Sequence, residues 1–411
     1  MTNLDGDPEI SINQQDLRDH SEDKWDAVVA GAGPAGSTTA LHLAAAGRRV
    51  LLLDSKTFPR DKVCGDALIA DTHGALERSG LLEAVSRQAY RVETATVYSP
   101  SRLHLSIPGK FMTLKRRKLD AVLAAGAVER GATFCRGKVK SFDVVDGVSV
   151  KVWVEGAAEP VPARSLVLAT GANRGLLEGS PGWNGGAPSA FAMRCYIRSK
   201  AQLDTLLISY DRSILPGYAW IFPMGGDEYN VGCGLFSRRK SELAGNLLQI
   251  FEAFCREFPP MRELWDHRVE QGKMKGAPLR CGLRVPPNRP KGPVLVAGET
   301  VDSTFPFTGE GIGKAMETGE MAARALNACL EKDDSAALES YWKALERDLA
   351  KKYVGYRIAE RWLSREWIAN FFARRARRSR FLQKAFAGFM NETVDPREVF
   401  SVSGILKSYF F

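Results

Sequence analysis

The sequence predicts an α/β protein: a parallel sheet wrapped by helices, a second domain built on an antiparallel sheet, and a helical C-terminal region. Three observations predict it. Trp25–Asp54 runs strand, glycine turn, helix, strand in thirty residues, the pattern of a βαβ unit. Val294–Gly313 repeats strand, glycine loop and helix start near the other end of the chain. Between them, Phe191 to Met274 changes to strand-like, aromatic-rich segments.

With 411 residues the chain exceeds one ordinary core, and two or three domains are expected. Hydrophobic residues at 45% and charged residues at 26% exclude a disordered chain. The net charge of +9 is compatible with nucleic acid, an anionic cofactor or an anionic membrane surface and does not choose among them. No apolar run reaches the roughly 18 residues of a membrane-spanning helix. The cysteines at 64, 135, 195, 233, 255, 281 and 329 are scattered, with no CxxC pair and no histidine at ligand spacing. That pattern argues against disulfides and a metal site and for a reducing, cytoplasmic compartment. Met1–Asp26 is polar and acid-leaning, unlike a signal peptide, and residues 1–24 are expected to be a flexible lead-in.

Trp25–Ala30 is a buried strand that breaks into Gly31-Ala32-Gly33-Pro34-Ala35-Gly36. Ser37–Ala46 follows as a helix stopped by Gly47, and Arg49–Leu53 is a second strand ending in Asp54. In GxGxxG the first glycine permits the turn, the second admits a pyrophosphate to the backbone, and the third lets helix and sheet pack closely. Asp54 stands where it can accept ribose hydroxyls. The unit is a Rossmann-type dinucleotide site. Further on, Leu119–Arg130 reads as a helix stopped by Gly131, Phe142–Val154 as a hairpin around Asp146–Gly147, and Ser165–Ala169 as a buried strand closing on Thr170–Gly171. The second domain carries a helix at Glu242–Glu257. Pro293–Ala297 returns to the buried-strand type, opens the loop Gly298–Gly311 and leads into a helix at Ile312–Leu330. Two glycine loops in strand-to-helix contexts are most simply one elaborated site, and the late loop favours FAD over NAD: in flavoproteins with such a late segment, amides like those near Gly309–Ile312 face the flavin ring.

Four stretches carry a family resemblance: GAGPAG with Asp54; Phe58–Asp66 (FPRDKVCGD); Tyr218-Ala219-Trp220-Ile221-Phe222-Pro223 followed by Val231-Gly232; and Pro306–Ile312 (PFTGEGI). On these the chain resembles the geranylgeranyl reductase family, within the larger class built like p-hydroxybenzoate hydroxylase. The resemblance implies FAD contacts from Gly31–Gly36, Asp54, Ser55, Arg60, Cys64, Gly65, Arg116, Gly171, Gly298, Glu299, Gly309, Gly311 and Ile312. It also implies reduction of C=C bonds in a prenyl lipid or quinone-type substrate, with electrons from NAD(P)H or ferredoxin. Four positions depart from the family pattern: Asp54 for Glu, Glu299 for Asp, Thr170 for Asp, and Met224 for Lys. The implied domains are 25–92, 109–180 and 275–330 for FAD, 93–108 and 181–274 for substrate, and 331–411 as the helical end.

Tyr218, Trp220 and Phe222 alternate along a strand and so share one face. Alone, that pattern describes a core face; with the resemblance it becomes an apolar wall for substrate beside the flavin. Cys64 and Asp66 are the catalytic candidates, Asp66 as a proton source if burial raises its pKa, Cys64 as proton donor, gate or packing group. His73 and His104 are not singled out by their surroundings. An isolated alkene accepts hydride poorly, so a positioned acid is required.

Phe371–Leu382 sets five arginines between aromatic pairs, a rough amphipathic helix that reads either as a solvated basic surface or as a peripheral contact with the inner face of a membrane. No recognition motif supports nucleic acid. Leu406–Phe411 is expected to dock on the body. Rival readings are a flavin monooxygenase, a halogenase, and a prenyl-binding escort without redox chemistry. Halogenases of this build need a lysine soon after the glycine-acid segment, and none occurs from Cys64 through Gly109.

Overall fold

The structure is a computed structural model that describes residues 12–20, 23–178, 183, 187–215, 217–236, 247–286 and 288–410. A six-stranded parallel sheet runs in the order Gln15–Asp16, Thr133–Arg136, Val50–Asp54, Ala27–Ala30, Leu166–Leu168, Val294–Val296. Its central strands are buried on both faces, which is why they read as unbroken apolar runs. The strand beginning at Val294 pairs in register with Leu166–Leu168, which pairs in turn with Ala27–Ala30, so a single strand separates the two that lead into the glycine loops. Gln15–Asp16, within the expected lead-in, is instead an edge strand paired with Cys135–Arg136. The rest of that lead-in through Ser11, with Ser21 and Glu22, lies outside the described residues.

The helices Pro34–Ala45, Arg116–Glu129 and Ile312–Lys332 cover this sheet. The hairpin expected around Asp146–Gly147 is present as Val139–Val145 and Ser149–Val154, extended by Val161–Ala163 into a three-stranded sheet.

The second sheet has nine strands and is antiparallel apart from the pairing of Leu206–Ser209 with Tyr90–Tyr98. Tyr218–Gly225 lies at its centre between Glu228–Phe236 and Leu206–Ser209. The hairpin Tyr90–Tyr98/His104–Thr113 extends the sheet toward the FAD-type domain, and Lys275–Leu279 pairs with Ala190–Arg194. Leu247–Glu257 is helical and packs Phe251 and Phe254 on the sheet's back; Glu242–Asn246, expected in the same helix, lie outside the described residues.

From Ala336 to Phe410 the chain is mostly helical. The arginine-rich stretch is two helices rather than one, Glu366–Ala376 and Arg380–Met390, because Ser379 caps the second by accepting from the Leu382 amide. Phe372 is buried with Leu382, Val399 and Phe400 in a separate apolar cluster. Among the described residues no helix is long and apolar enough to cross a membrane.

Candidate active site

The glycine turn folds as its spacing dictates. The Gly31 amide donates to Leu53 O at 2.7 Å, and a side chain at Gly36 would overlap Gly31 O, so only glycine lets the helix start this close to the strand end. Asp54, at the tip of the next strand, accepts from the Ala32 amide at 3.0 Å and the Lys56 amide at 2.9 Å. Arg60 approaches the same carboxylate and forms an ion pair with Asp120 at 3.0 Å, while Arg116 grips Asp120 through two bonds of 2.7 Å. Asp120 therefore fixes both cations of this wall.

The late loop closes from the other side. The Glu299 carboxylate accepts from the Arg280 amide at 3.0 Å, and burial raises its pKa. Its second oxygen faces Gly171. A side chain at Gly309 would overlap the Tyr218 hydroxyl, and the helix from Ile312 begins at Gly311 without a side-chain cap. The Pro34–Ala45 helix likewise has no side-chain cap at Gly33.

One cavity of 650 Å³ joins these pieces. All the predicted cofactor residues line it except Ala32, whose amide is held by Asp54, and Gly36, which packs beneath Gly31. Two uncapped helix N-termini, each presenting free amides, open on the same space. The cradle suits an anionic, two-ended dinucleotide, and FAD fits these residues.

Tyr218, Trp220 and Phe222 line the next part of the cavity as one face, with ring centroids 5.7 and 6.4 Å apart. The wall is fastened from behind. Trp220 Nε1 donates to Asn230 Oδ1 at 2.9 Å, and Asn230 Nδ2 donates to Cys64 O at 2.9 Å and Asp66 Oδ2 at 2.7 Å. Gly65 passes so close that an added Cβ would touch the Phe222 ring. The aromatic strand and the glycine-acid segment are thus one unit.

Asp66 is fully buried and held at a φ of 67°, a conformation kept by a non-glycine residue only where its surroundings hold it. Burial pushes its pKa up to about 6 against the pull of Tyr196, Arg194 and Asn230. Its oxygens accept from Tyr196 Oη at 2.6 Å, from Asn230, and from the Arg116 amide at 3.2 Å. Cys64 lines the cavity beside Arg116, and burial raises its thiol's pKa.

Several contributors were not read from the sequence. Phe307 stacks on Tyr210 at 4.9 Å and 6°, extending the aromatic wall. Beyond it the cavity continues between Leu105, Ile107, Leu206 and Ile208 of the sheet and Phe386, Phe389, Met390 and Phe400 of the C-terminal region. Glu310 and Asp71 also line it. Glu310 lies inside the PFTGEGI stretch, between Gly309 and Gly311. The others carry no local signal, because distant segments bring them together.

A Rossmann sheet whose two glycine loops share one cavity with an aromatic wall defines an FAD-binding oxidoreductase. A family model described as FAD binding domain matches residues 24–173. The chain is 32% identical over 361 residues to the menaquinone reductase of Mycobacterium tuberculosis, covering 83% of each protein. It is 28% identical over 347 residues to digeranylgeranylglycerophospholipid reductase 2 of Methanopyrus kandleri, covering 80% of this chain and 84% of that one. Its fold is similar to that of a geranylgeranyl bacteriochlorophyll reductase-like protein from Thermoplasma acidophilum, with a TM-score of 0.74 at 20% identity over 94% and 95% of the two chains. The chain belongs to the FAD-binding oxidoreductase family that includes the menaquinone and geranylgeranyl reductases.

Proposed function

We propose that this protein is an FAD-dependent reductase that saturates a C=C bond in the polyisoprenoid tail of a quinone-type lipid. The observation that carries this reading is the single cavity running from the glycine cradle past the aromatic wall into an apolar channel. A channel lined by aliphatic and aromatic side chains suits a long, uncharged tail and offers little to a small polar substrate. FAD, bound and reduced, supplies the hydride.

The chain's own residues divide the remaining work. Asp54, Arg60, Arg116 and the two helix N-termini hold the cofactor's anionic and ribose parts. Tyr218, Trp220 and Phe222 align the tail and exclude water, with Asp66 and Asn230 fixing their position. Cys64, at the start of the wall, packs against the substrate.

The last helix supports a peripheral membrane contact. In Val402–Phe410 the buried positions are Gly404 and Ser408, while Val402, Leu406, Tyr409 and Phe410 are 74%, 56%, 58% and 78% exposed. Those four fall at i, i+4, i+7 and i+8, one helix face. Arg375 lies over Tyr409 at 4.0 Å, setting a cation at the edge of the stripe. Such a helix delivers a membrane-dissolved tail to the adjoining channel.

The test is incubation of the dithionite-reduced protein with menaquinone and, separately, with a geranylgeranylated lipid. A product heavier by two hydrogens supports the reading. Substrate recovered unchanged from both sinks it.

A further inference from the structure

We infer that Glu310 is the acid that protonates the alkene, and that Asp71, Lys314 and Glu392 connect it to solvent. The inference rests on the reductase reading above. Both Glu310 and Asp71 line the cavity, and each has a buried carboxyl oxygen, Oε2 and Oδ2, without a hydrogen-bond partner among the described residues. The Asp71 side chain is only 6% exposed and fills the space that a side chain at Gly313 would need, in the first turn of the helix that Glu310 precedes. Glu310 follows Gly309, which abuts the Tyr218 hydroxyl, so this acid stands where the aromatic wall meets the late glycine loop.

Charge counting requires a proton here. Lys314 is buried and pairs with Glu317 at 2.7 Å and Glu392 at 2.8 Å, with Asp71 at 3.9 Å. Together with Glu310 that makes four carboxyl groups around one buried ammonium. Unbalanced carboxylates in a dry interior are costly enough that the cluster retains protons. Among the described residues Glu310 makes no ion pair; the groups that act on it are Asp71, Glu392, Lys314 and the neighbouring Thr308 hydroxyl, with Tyr210, Tyr218 and Tyr356 facing it. Burial first, then the Asp71 and Glu392 charges, keep its carboxyl protonated well above the ordinary carboxylate range. Asp66 differs in kind: its oxygens already accept three donors that hold the wall.

In the step, the Glu310 O–H bond breaks and its proton goes to one alkene carbon, while the other carbon takes the hydride that bound, reduced FAD would supply. The π bond is consumed, two C–H bonds form, and both electrons of the reduction come with that hydride. The carboxylate recovers its proton through Asp71 and Glu392, which lies 3.7 Å from the half-exposed Lys352.

Two readouts on Glu310→Gln test this. In anaerobic single turnover with menaquinone, the variant retains FAD and reduces the tail at least about 100-fold more slowly than wild type, with partial recovery in Glu310→Asp. In infrared spectra at neutral pH, a protonated-carboxyl band of the wild type disappears in Glu310→Gln. Wild-type speed in the variant, or an unchanged band, overturns the inference and leaves the reductase reading intact. A wild-type enzyme that reduces no prenyl tail overturns both.

Discussion

Removing the Asn230 side chain tests whether the aromatic wall is held from behind. Asn230 is fully buried and makes three bonds, to Trp220, Cys64 and Asp66. Asn230→Ala leaves the Trp220 N–H and the Cys64 carbonyl without partners, while Asp66 Oδ2 keeps Tyr196. A buried polar group so stranded costs about 1–3 kcal/mol, so two of them destabilise the second sheet by about 2–6 kcal/mol. With the indole free to tilt, tail binding weakens by roughly tenfold, about 1.4 kcal/mol. Asp54, Arg60 and both helix N-termini are untouched, so the protein stays yellow. Denaturant unfolding and equilibrium binding of a menaquinone analogue measure the two effects. A stability loss below about 1 kcal/mol with unchanged tail affinity would refute the reasoning.

Three further predictions concern pH, the channel and the membrane. Asp66 has its pKa raised to about 6 from 3.8, so between these values the folded chain holds a proton the unfolded chain has lost. Its share of stability is therefore present below about pH 4 and falls by about 3 kcal/mol as pH rises through 6. Asp66→Asn should remove that decline, and denaturation of both proteins at pH 4 and 7 measures it; parallel declines contradict it. Met390→Trp narrows the far channel, and overpacking of about 1–3 kcal/mol should weaken binding of a long polyprenyl tail roughly tenfold while sparing a single-isoprene analogue. Equal losses for both would show that the far channel is not used. Leu406→Glu with Phe410→Glu should lower co-sedimentation with anionic vesicles at least roughly tenfold, since each apolar side chain contributes about 1.5–3 kcal/mol when buried. Unchanged sedimentation would remove that helix from the contact.

The glycine cradle was legible because its cause is local: strand, turn and helix follow one another, and the Gly31–Gly36 approach is written in six residues. The shared face of Tyr218, Trp220 and Phe222 was legible for the same reason, since strand period alone sets it. Asn230 was not, because its importance comes from the register that sets Phe222 opposite it on the neighbouring strand. The channel was least legible. Ile107, Ile208 and Phe389 come from three parts of the chain and look like ordinary core residues until packing leaves space between them. The same holds at the C-terminus: the arginines of Phe371–Leu382 read either as a solvated basic surface or as a membrane contact, but Phe372 turns inward, and the exposed apolar stripe lies on Val402–Phe410. Leu406–Phe410, expected to dock, buries Ser408 on the opposite, small-residue face and meets Arg375 through Tyr409; Phe411 lies outside the described residues.

The most direct test of the central claim is an anaerobic single turnover, in which the reduced protein is mixed with menaquinone and flavin absorbance is followed beside product mass. A flavin-dependent tail reductase reoxidises its flavin without oxygen and yields one product, heavier by two hydrogens, per flavin. A flavin that stays reduced until oxygen is admitted, and then yields an oxygenated product, would contradict the account.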